Sequence, residues 1–166
     1  MHQEMNRLFP MTVVFLQHGD DLLFLHRSEK KKIFPGVWSG AGGKVDPGEH
    51  NALRAAALRE VREETGITED RITNFRLKYV ILRQKDGAFW QTYVYFGETE
   101  QREVAQTEEG VFTWLPHDGW QDKDVIPTTR ASLLHYAEHQ DDGVVYVGVY
   151  DPTDEALPIK QWIPLG

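Results

Sequence analysis

The sequence predicts a mixed α/β (α+β) fold built on one mixed β-sheet. Strand-like and helix-like segments alternate along the chain, and strand pairs are joined by short turn sequences that are typical of hairpins. Hairpins join antiparallel strands, so the sheet is not expected to be purely parallel. The length of 166 residues suits one domain that can bury a core, and the absence of Cys excludes disulfides and thiolate zinc sites.

The first half of the chain is expected to contain two strands and one helix. Met11–Gln17 and Leu22–Arg27 are rich in β-forming residues and are joined by a Gly-Asp turn. A helix is predicted over about Ala52–Thr65. We expect Asn51 to cap its start and Gly66 to end it.

The second half is expected to contain four more strands and a second helix. The C-terminal strand either extends the edge of the sheet or pairs with another subunit. Asp151–Gly166 holds three prolines and is expected to be a tail to which no element is assigned. The predicted strands are Ile72–Arg83, Ala88–Phe96, Gly110–Leu115 and Val144–Tyr150, and the predicted helix is Thr128–His139, which follows Pro127.

The charge of the chain limits the partners that it can bind. The 18 basic and 26 acidic residues give a net charge of −8. Duplex nucleic acid and anionic membranes attract basic surfaces, so we expect neither as a partner. No apolar run is long enough for a signal peptide or a membrane span, and we therefore expect a cytoplasmic protein. A small anion can still bind where a cation or a basic cluster is present.

One face of the first predicted helix carries three carboxylates. At about 100° per residue, Glu60, Glu63 and Glu64 project on the same side as small and apolar residues, whereas Leu58 is expected to lie off that side. Clustered acids repel one another, and oxygen ligands favour Mg²⁺ or Mn²⁺ over zinc. The alternatives are a solvated helix face, or arginines that neutralise the acids, of which Arg59 is expected to serve one carboxylate.

A glycine-rich segment precedes this helix. Gly40, Gly42 and Gly43 come before Lys44, but Val45 stands where a Walker A loop has Ser or Thr and where a dinucleotide fingerprint has its third Gly. Glycines allow the backbone to approach a ligand or a metal ion closely. The alternative is a tightly packed strand.

Taken together, Gly43–Glu49 and Arg59–Ile67 resemble the Nudix box. That motif is a Gly, five residues, a Glu, seven residues, and then Arg-Glu-aliphatic-x-Glu-Glu-x-Gly-aliphatic. His50–Leu58 contains nine residues where the motif has seven, so a longer loop or an added half-turn is expected before the helix. The resemblance covers about residues 9–139 and implies one Nudix domain over 1–166, with a mixed sheet between helices and an extension over about 140–166.

The resemblance also implies a chemistry. Nudix enzymes hydrolyse a nucleoside diphosphate linked to another group and use Mg²⁺, with Mn²⁺ as a possible substitute. Arg59 matches the residue that orients the acids, the backbone of Gly43 matches a carbonyl ligand, and the role of Glu49 depends on the two additional residues. The metal-binding and base glutamates of the motif match Glu60, Glu63 and Glu64.

Two further groups of charged residues are candidates for the site. Many MutT-type relatives use a Glu ahead of a Trp, and here Glu108 is the first choice and Glu109 the second, upstream of Trp114. The alternative is that both are surface acids. Arg27 and Lys30–Lys32 are candidates for attracting the substrate, and their alternative is a solvated loop.

The segment Gly36–Lys44 is similar to the corresponding segment of the oxidised-purine triphosphatases, in which an Asn contacts the base. Ser39 stands at the Asn position here, which leaves the base specificity open. Aromatic rings stack on any base, and core packing is the alternative role for each of them. The candidate rings are Phe34, Trp38, Trp90, Tyr93 and Trp114, and the substrate-binding candidates are Arg27, Phe34, Trp38, Ser39, Lys44 and Trp90.

The leading hypothesis is Mg²⁺-dependent hydrolysis of a nucleoside triphosphate, with 8-oxo-dGTP as a candidate, to a monophosphate and pyrophosphate. ADP-ribose and dinucleoside polyphosphates are alternative substrates, and a non-catalytic nucleotide sensor is an alternative function. The protein is expected to be a monomer or a homodimer. His135 and His139 have a spacing that can bind zinc, but a surface or packing role is preferred.

Overall fold

A mixed β-sheet forms the frame of the molecule. The computed structural model describes residues 7–166, and within that range the sheet has nine strands. The strands are β1 (Arg7–His18), β2 (Asp21–Arg27), β3 (Trp38–Ser39), β4 (Ala41–Lys44), β5 (Ile72–Lys85), β6 (Ala88–Thr99), β7 (Gly110–Pro116), β8 (Val145–Tyr150) and β9 (Ile159–Leu165). The helices are α1 (Leu53–Thr65), α2 (Pro127–His139) and a short 3₁₀ turn at Glu69–Arg71.

The strand order places the glycine-rich strand beside the centre of the sheet. The order is β3-β2-β1-β6-β5-β8-β9, while β4 pairs with β1 and β7 pairs with β2. The β1–β6 and β5–β8 pairs are parallel, and the remaining pairs are antiparallel. The predicted mixed sheet is therefore confirmed. β4 occupies the edge of β1 at Met11–Val14, whereas β2 takes over at Gln17 and His18, so these two neighbours of β1 divide its edge between them.

The two helices cover opposite faces of the sheet. Ala57 and Val61 of α1 pack in one apolar cluster with Val14 of β1. The other cluster contains Phe96 of β6 and Tyr136 of α2, whose rings stack 3.7 Å apart. The predicted arrangement, a sheet between helices, is confirmed. No helix within residues 7–166 is both long enough and apolar enough to cross a membrane.

The C-terminal end of α1 agrees with the prediction, and its N-terminal end does not. Gly66 ends the helix in the left-handed conformation, with φ of 78°, and its N–H donates to the Arg62 carbonyl. The predicted cap at Asn51 is wrong, because Ala52 is the N-cap residue and no side chain caps the helix. The longer loop leaves Asn51 within a turn, one residue before the carbonyl of Ala52 begins the helical hydrogen bonds to Ala56.

The C-terminal extension adds two strands to the sheet. β8 pairs with β5, so this strand extends the sheet, which is the first of the two alternatives that the sequence left open. β9 lies within the segment to which no element had been assigned. Pro164 is tolerated there because the outer edge of β9 has no strand beside it among the described residues. Gly148 leaves room for Trp162, since a Cβ at this position would lie 2.7 Å from the indole ring.

Candidate active site

The three glutamates of α1 are buried to different degrees. The buried residues of the helix centre on Val61, so Leu58, which was expected to lie off the buried stripe, is buried. This rotation leaves Glu64 inside the stripe with 7% of its surface exposed. The side chain of Glu60 lies at the margin and is 15% exposed, and that of Glu63 faces outward and is 53% exposed.

The glycines of β4 allow this strand to lie tightly between β1 and α1. A Cβ on Gly42 would lie 2.0 Å from the Thr12 carbonyl oxygen, and the φ of 144° at Gly42 also favours glycine. A Cβ on Gly43 would lie 2.9 Å from the carboxyl carbon of Glu60. The glycines of β4 therefore serve both purposes: they allow the strand to pack tightly against β1, and they allow its backbone to approach the charged Glu60 closely.

Arg59 lies at the centre of the acidic cluster. It donates two hydrogen bonds of 2.8 Å to Glu49, one of 3.1 Å to Glu60 and one of 3.0 Å to Glu63. Arg59 was expected to serve one of the three helix glutamates, but its planar group has donors on several edges and reaches two, Glu60 and Glu63. The expectation that it would not reach all three agrees with the structure, and Arg59 also pairs with Glu49 and Asp46 of the preceding loop. These contacts hold the pKa of Arg59 above its usual range, with the hydrogen bonds to Glu49 as the main cause.

Glu49 reaches the cluster in spite of the additional residues before the helix. Those residues form a turn at His50 and Asn51, which corresponds to the predicted longer loop. Glu49 Oε1 also accepts a hydrogen bond of 3.0 Å from the backbone N–H of Asp46. Bonds to Arg59 and then to Asp46 lower the pKa of Glu49, so its carboxylate is held in the charged form.

Glu64 is the carboxylate that Arg59 does not contact. Its Oε2 accepts a hydrogen bond of 3.0 Å from the backbone N–H of Gly42. Burial raises the pKa of Glu64 to about 8, and the negative charges of Glu60 and Glu109 contribute in the same direction. Burial also raises the pKa of Glu60. Ionising the whole cluster is therefore unfavourable unless a cation approaches.

The donor set fits a hard divalent cation, although the side chains are not arranged around one. Within residues 7–166, no three acidic or imidazole groups converge as they stand on a single metal position. Instead, three carboxylates turn to Arg59 and Glu64 turns to Gly42. The Gly43 carbonyl, a further oxygen donor, accepts a hydrogen bond of 3.4 Å from the Thr12 hydroxyl. Binding a metal ion would require some carboxylates to leave Arg59.

The two acids near Trp114 differ in their surroundings. Glu109 forms an ion pair of 2.8 Å with Lys31, and its charge acts on Glu64. Glu108 is exposed, and its side chain makes no hydrogen bond within residues 7–166. The geometry favours Glu109, the second choice from the sequence, over Glu108 as the acid that assists the cluster.

A cleft of about 700 Å³ lies between the loop after β2 and the turn before β7. Arg27, Lys30 and Lys31 line it, as do Thr107 and Glu108. The guanidinium of Arg27 donates to the carbonyls of Phe34 and Ile33, which holds the loop, and its charge acts favourably on Glu64. The basic loop therefore borders the acidic cluster.

The remaining substrate-binding candidates lie at three places. Trp38 stacks on His26 with the ring centres 4.4 Å apart, and Ser39 beside it is buried. Lys44 is exposed at the end of β4, and Phe34 is 45% exposed in the basic loop. Trp90 lies on β6, where it stacks on Phe9. The structure therefore does not gather these aromatic rings into one pocket.

Four other side chains have packing roles. Tyr93 and Trp114 pack against the apolar cluster under α1, and the indole of Trp114 donates to the Arg102 carbonyl at 2.9 Å. His135 and His139 stack face to face at 3.8 Å, and Nδ1 of His135 hydrogen-bonds to the Tyr79 hydroxyl. This arrangement agrees with the packing alternative for the histidine pair.

Comparisons with known proteins identify the family of this chain. The NUDIX domain family matches residues 8–136. An uncharacterised Nudix hydrolase of Bacillus subtilis, YvcI, is 33% identical over 120 residues, which are 69% of this chain and 68% of that protein. An oxidised purine nucleoside triphosphate hydrolase of Danio rerio is 29% identical over 121 residues, 71% of this chain and 68% of that protein.

A solved MutT structure from Bacillus halodurans has the same fold. Its TM-score is 0.69 at 22% sequence identity, and the match covers 94% of this chain and 97% of that one. The chain therefore belongs to the Nudix family, whose members are hydrolases that act on nucleotide substrates and generally use divalent metal ions.

Proposed function

We propose that this enzyme hydrolyses a nucleoside triphosphate to a monophosphate and pyrophosphate with Mg²⁺, or Mn²⁺ in its place. The observation that carries the proposal is the shortage of positive charge around Glu64. Four carboxylates gather at the glycine strand, three of them share Arg59, and Glu64 is buried and forms no ion pair within residues 7–166. A site of this kind gains most from a bound divalent ion.

Each residue has a role in this proposal. Glu60 and Glu63, with the Gly43 carbonyl, supply oxygen ligands, and Glu49 either joins them or holds Arg59 in place. When bound, the metal neutralises phosphate charge and lowers the pKa of a coordinated water. Glu64 is placed to accept the proton that the attacking water loses, since a base with a pKa near the working pH is the most effective.

The substrate class is inferred from several observations. The positive charges of Arg27, Lys30 and Lys31 border the acidic cluster and suit a polyphosphate chain. Similarity to the Danio rerio hydrolase favours a purine triphosphate, with 8-oxo-dGTP as a candidate. ADP-ribose and dinucleoside polyphosphates are the alternative substrates. The cytoplasmic location stays a prediction from the sequence.

The test is an assay of the purified protein with Mg²⁺ against canonical and oxidised nucleoside triphosphates, ADP-ribose and dinucleoside polyphosphates. We expect turnover of triphosphates and a loss of about 10²–10⁴-fold in kcat for Glu64→Gln. The matched control is Glu69→Gln, because Glu69 is an exposed acid that pairs with Arg54.

Three other results would contradict the proposal. Turnover confined to ADP-ribose or dinucleoside polyphosphates would reassign the substrate. Equal activity in Glu64→Gln and Glu69→Gln would remove Glu64 from the site. Tight nucleotide binding with no turnover of any substrate in the assay would favour a non-catalytic nucleotide sensor.

A further inference from the structure

The sheet face that α2 packs against continues beyond the helix as an open shelf. One row of side chains runs across β1, β6 and β5 and consists of Val13, Val94 and Tyr79. Val94 and Tyr79 belong to the apolar cluster that contains α2, and Val13 packs against that cluster. Two residues further along each strand, the row is formed by Met11, Thr92 and Ile81, of which the first two are only half-buried.

The next row is formed by four half-buried side chains on neighbouring strands. Phe9 pairs with Trp90, and Trp90 pairs with Arg83. Tyr150 follows the last registered pair between β5 and β8, which places it beside Arg83 on the same face. The shelf row is defined as Phe9, Trp90, Arg83 and Tyr150.

The shelf row alternates aromatic rings and a cation. The Phe9 and Trp90 rings stack 4.6 Å apart with an angle of 20° between their planes. The guanidinium carbon of Arg83 lies 4.2 Å from the centre of the Tyr150 ring. Stacking occupies the faces of the guanidinium and leaves its in-plane N–H groups free to donate.

Arg83 also carries an unpaired buried donor. Its Nε is the one side-chain nitrogen or oxygen within residues 7–166 that is buried without a hydrogen-bond partner. A donor of this kind is costly to leave unpaired, so its retention favours a ligand that supplies an acceptor. Arginine has donors only, and the ligand edge that it faces must therefore present acceptors.

The shelf row lies close to the proposed catalytic strand. Met11 of β1 pairs with Lys44 of β4, the residue after Gly43. Phe9 is two residues further along β1, a distance of about 7 Å at the usual rise per residue. The row lies on the face of the sheet opposite α1. A nucleotide whose phosphates lie at β4 can therefore place its base near this row by passing the outer edge of β4, which no other strand covers within residues 7–166.

We propose that the shelf row is a purine-base subsite in which the base stacks beside Trp90 and Arg83 donates to its acceptor edge. Guanine presents O6 and N7 as two adjacent acceptors, whereas adenine presents a donor beside N7 and cytosine presents a donor. The preferred ligand is therefore a guanine nucleotide. An 8-oxoguanine carries a hydrogen on N7, so Arg83 would hold it through fewer bonds. The proposal rests on the proposed function for the position of the phosphates.

This subsite depends on the C-terminal hairpin. Tyr150 lies at the end of β8, outside residues 8–136, which match the family. β9 covers β8 from outside and brings Trp162 over Gly148, next to the row. The extension therefore acts as part of the substrate-binding face and holds Arg83 in position.

The test is calorimetric titration of the full chain with dGMP and dCMP in EDTA, so that neither metal nor hydrolysis is required. For Arg83→Gln we expect dGMP binding to weaken by about 5- to 150-fold, while dCMP binding changes little. Tyr150→Leu is expected to weaken dGMP binding less. The matched control is Arg102→Gln, because Arg102 also lies over an aromatic ring, that of Trp114, in another part of the protein.

The outcomes separate this proposal from the proposed function. Unchanged dGMP affinity in Arg83→Gln, or an equal loss for dGMP and dCMP, would overturn the subsite. A comparable loss in Arg102→Gln would do the same, and thermal unfolding of each variant checks that it is folded. If no triphosphate is hydrolysed but dGMP binding depends on Arg83, the subsite stands while the hydrolytic function fails.

Discussion

The surroundings of α1 and α2 each contain a cluster of ionisable groups, but the buried charge near α2 has its own counter-charge. Lys78 has 1% of its surface exposed and donates to Asp142 and to the His139 carbonyl, at the end of α2. Asp142 also accepts the Tyr146 hydroxyl. The Lys78 and Tyr146 bonds hold the pKa of Asp142 well below its usual range.

The carboxylates near α1 lack such pairing. Arg59 is shared by Glu49, Glu60 and Glu63, and Glu64 has only the N–H of Gly42. A buried charge that has its own partner is costly to unpair, whereas a buried acid with a raised pKa in a cluster is a candidate for a functional site. The comparison teaches that the balance of charge, rather than the number of charged residues, separates a structural cluster from a catalytic one.

The largest expected effect on stability is at the paired cluster. Asp142→Asn leaves the Lys78 ammonium buried without its counter-charge, so we expect the free energy of unfolding to fall by about 3–5 kcal/mol. Turnover per folded molecule should stay within about twofold of wild type, because nothing near α1 changes. Chemical denaturation and an assay at low temperature measure the two quantities. A fall in kcat without a loss of stability would mean that the cluster near α2 has a catalytic role and would contradict its structural assignment.

A smaller effect is expected in the pH dependence of the metal-free protein. The pKa of Glu64 is raised from 4.5 to about 8, so the native state binds more protons than the unfolded state between these values. Stability from this group is therefore lost as the pH rises through that window. Glu64→Gln should remove the loss and stabilise the metal-free protein at pH 8 by up to about 4 kcal/mol, the value that follows from raising the pKa from 4.5 to about 8.

Denaturant unfolding in EDTA at several pH values between 5 and 8 measures this prediction. Glu69→Gln serves as the control and should keep the wild-type slope, because Glu69 is exposed. If Glu64→Gln has the same pH slope as wild type, the pKa of Glu64 is not raised and the account of an uncompensated acid is wrong.

The smallest expected effect comes from the strand under the helix. In Gly43→Ala the added Cβ displaces the Glu60 carboxylate, which lies 2.9 Å away, and kcat/KM should fall by about tenfold, or 1.4 kcal/mol. Gly48→Ala is the control, because a Cβ there meets nothing within 4 Å. Steady-state kinetics compare the two variants. Equal activities would mean that the position of Glu60 does not matter.

Much of α1 and its chemistry could be predicted because helical periodicity depends on local sequence. The three glutamates, Gly66 and the strands around them follow directly from spacing. The rotation that buries Leu58 and exposes Glu63 could not be predicted, because it depends on how the helix packs against β1 and β4. The same holds for Arg59, because its partner Glu49 comes from a loop of irregular conformation.

The C-terminal half shows a second limit. Three prolines made Asp151–Gly166 unlike a strand, yet β9 forms because Pro164 lies on an edge strand that needs no donor there. The choice between Glu108 and Glu109 stays a prediction, and the sequence could not supply their surroundings for a related reason. Adjacent loop residues point in different directions, and only the fold decides that Glu109 faces Lys31 and Glu64.

The most direct test of the central claim is a titration with Mn²⁺ at pH 8, followed by electron paramagnetic resonance. The account predicts that wild type binds Mn²⁺, that Mg²⁺ displaces it, and that the double variant Glu60→Gln, Glu64→Gln loses this binding, while Glu69→Gln retains it. The contradicting result is equal Mn²⁺ binding by wild type and the double variant, or no binding by wild type at millimolar Mn²⁺. Either would mean that the shortage of positive charge around α1 is not a metal site.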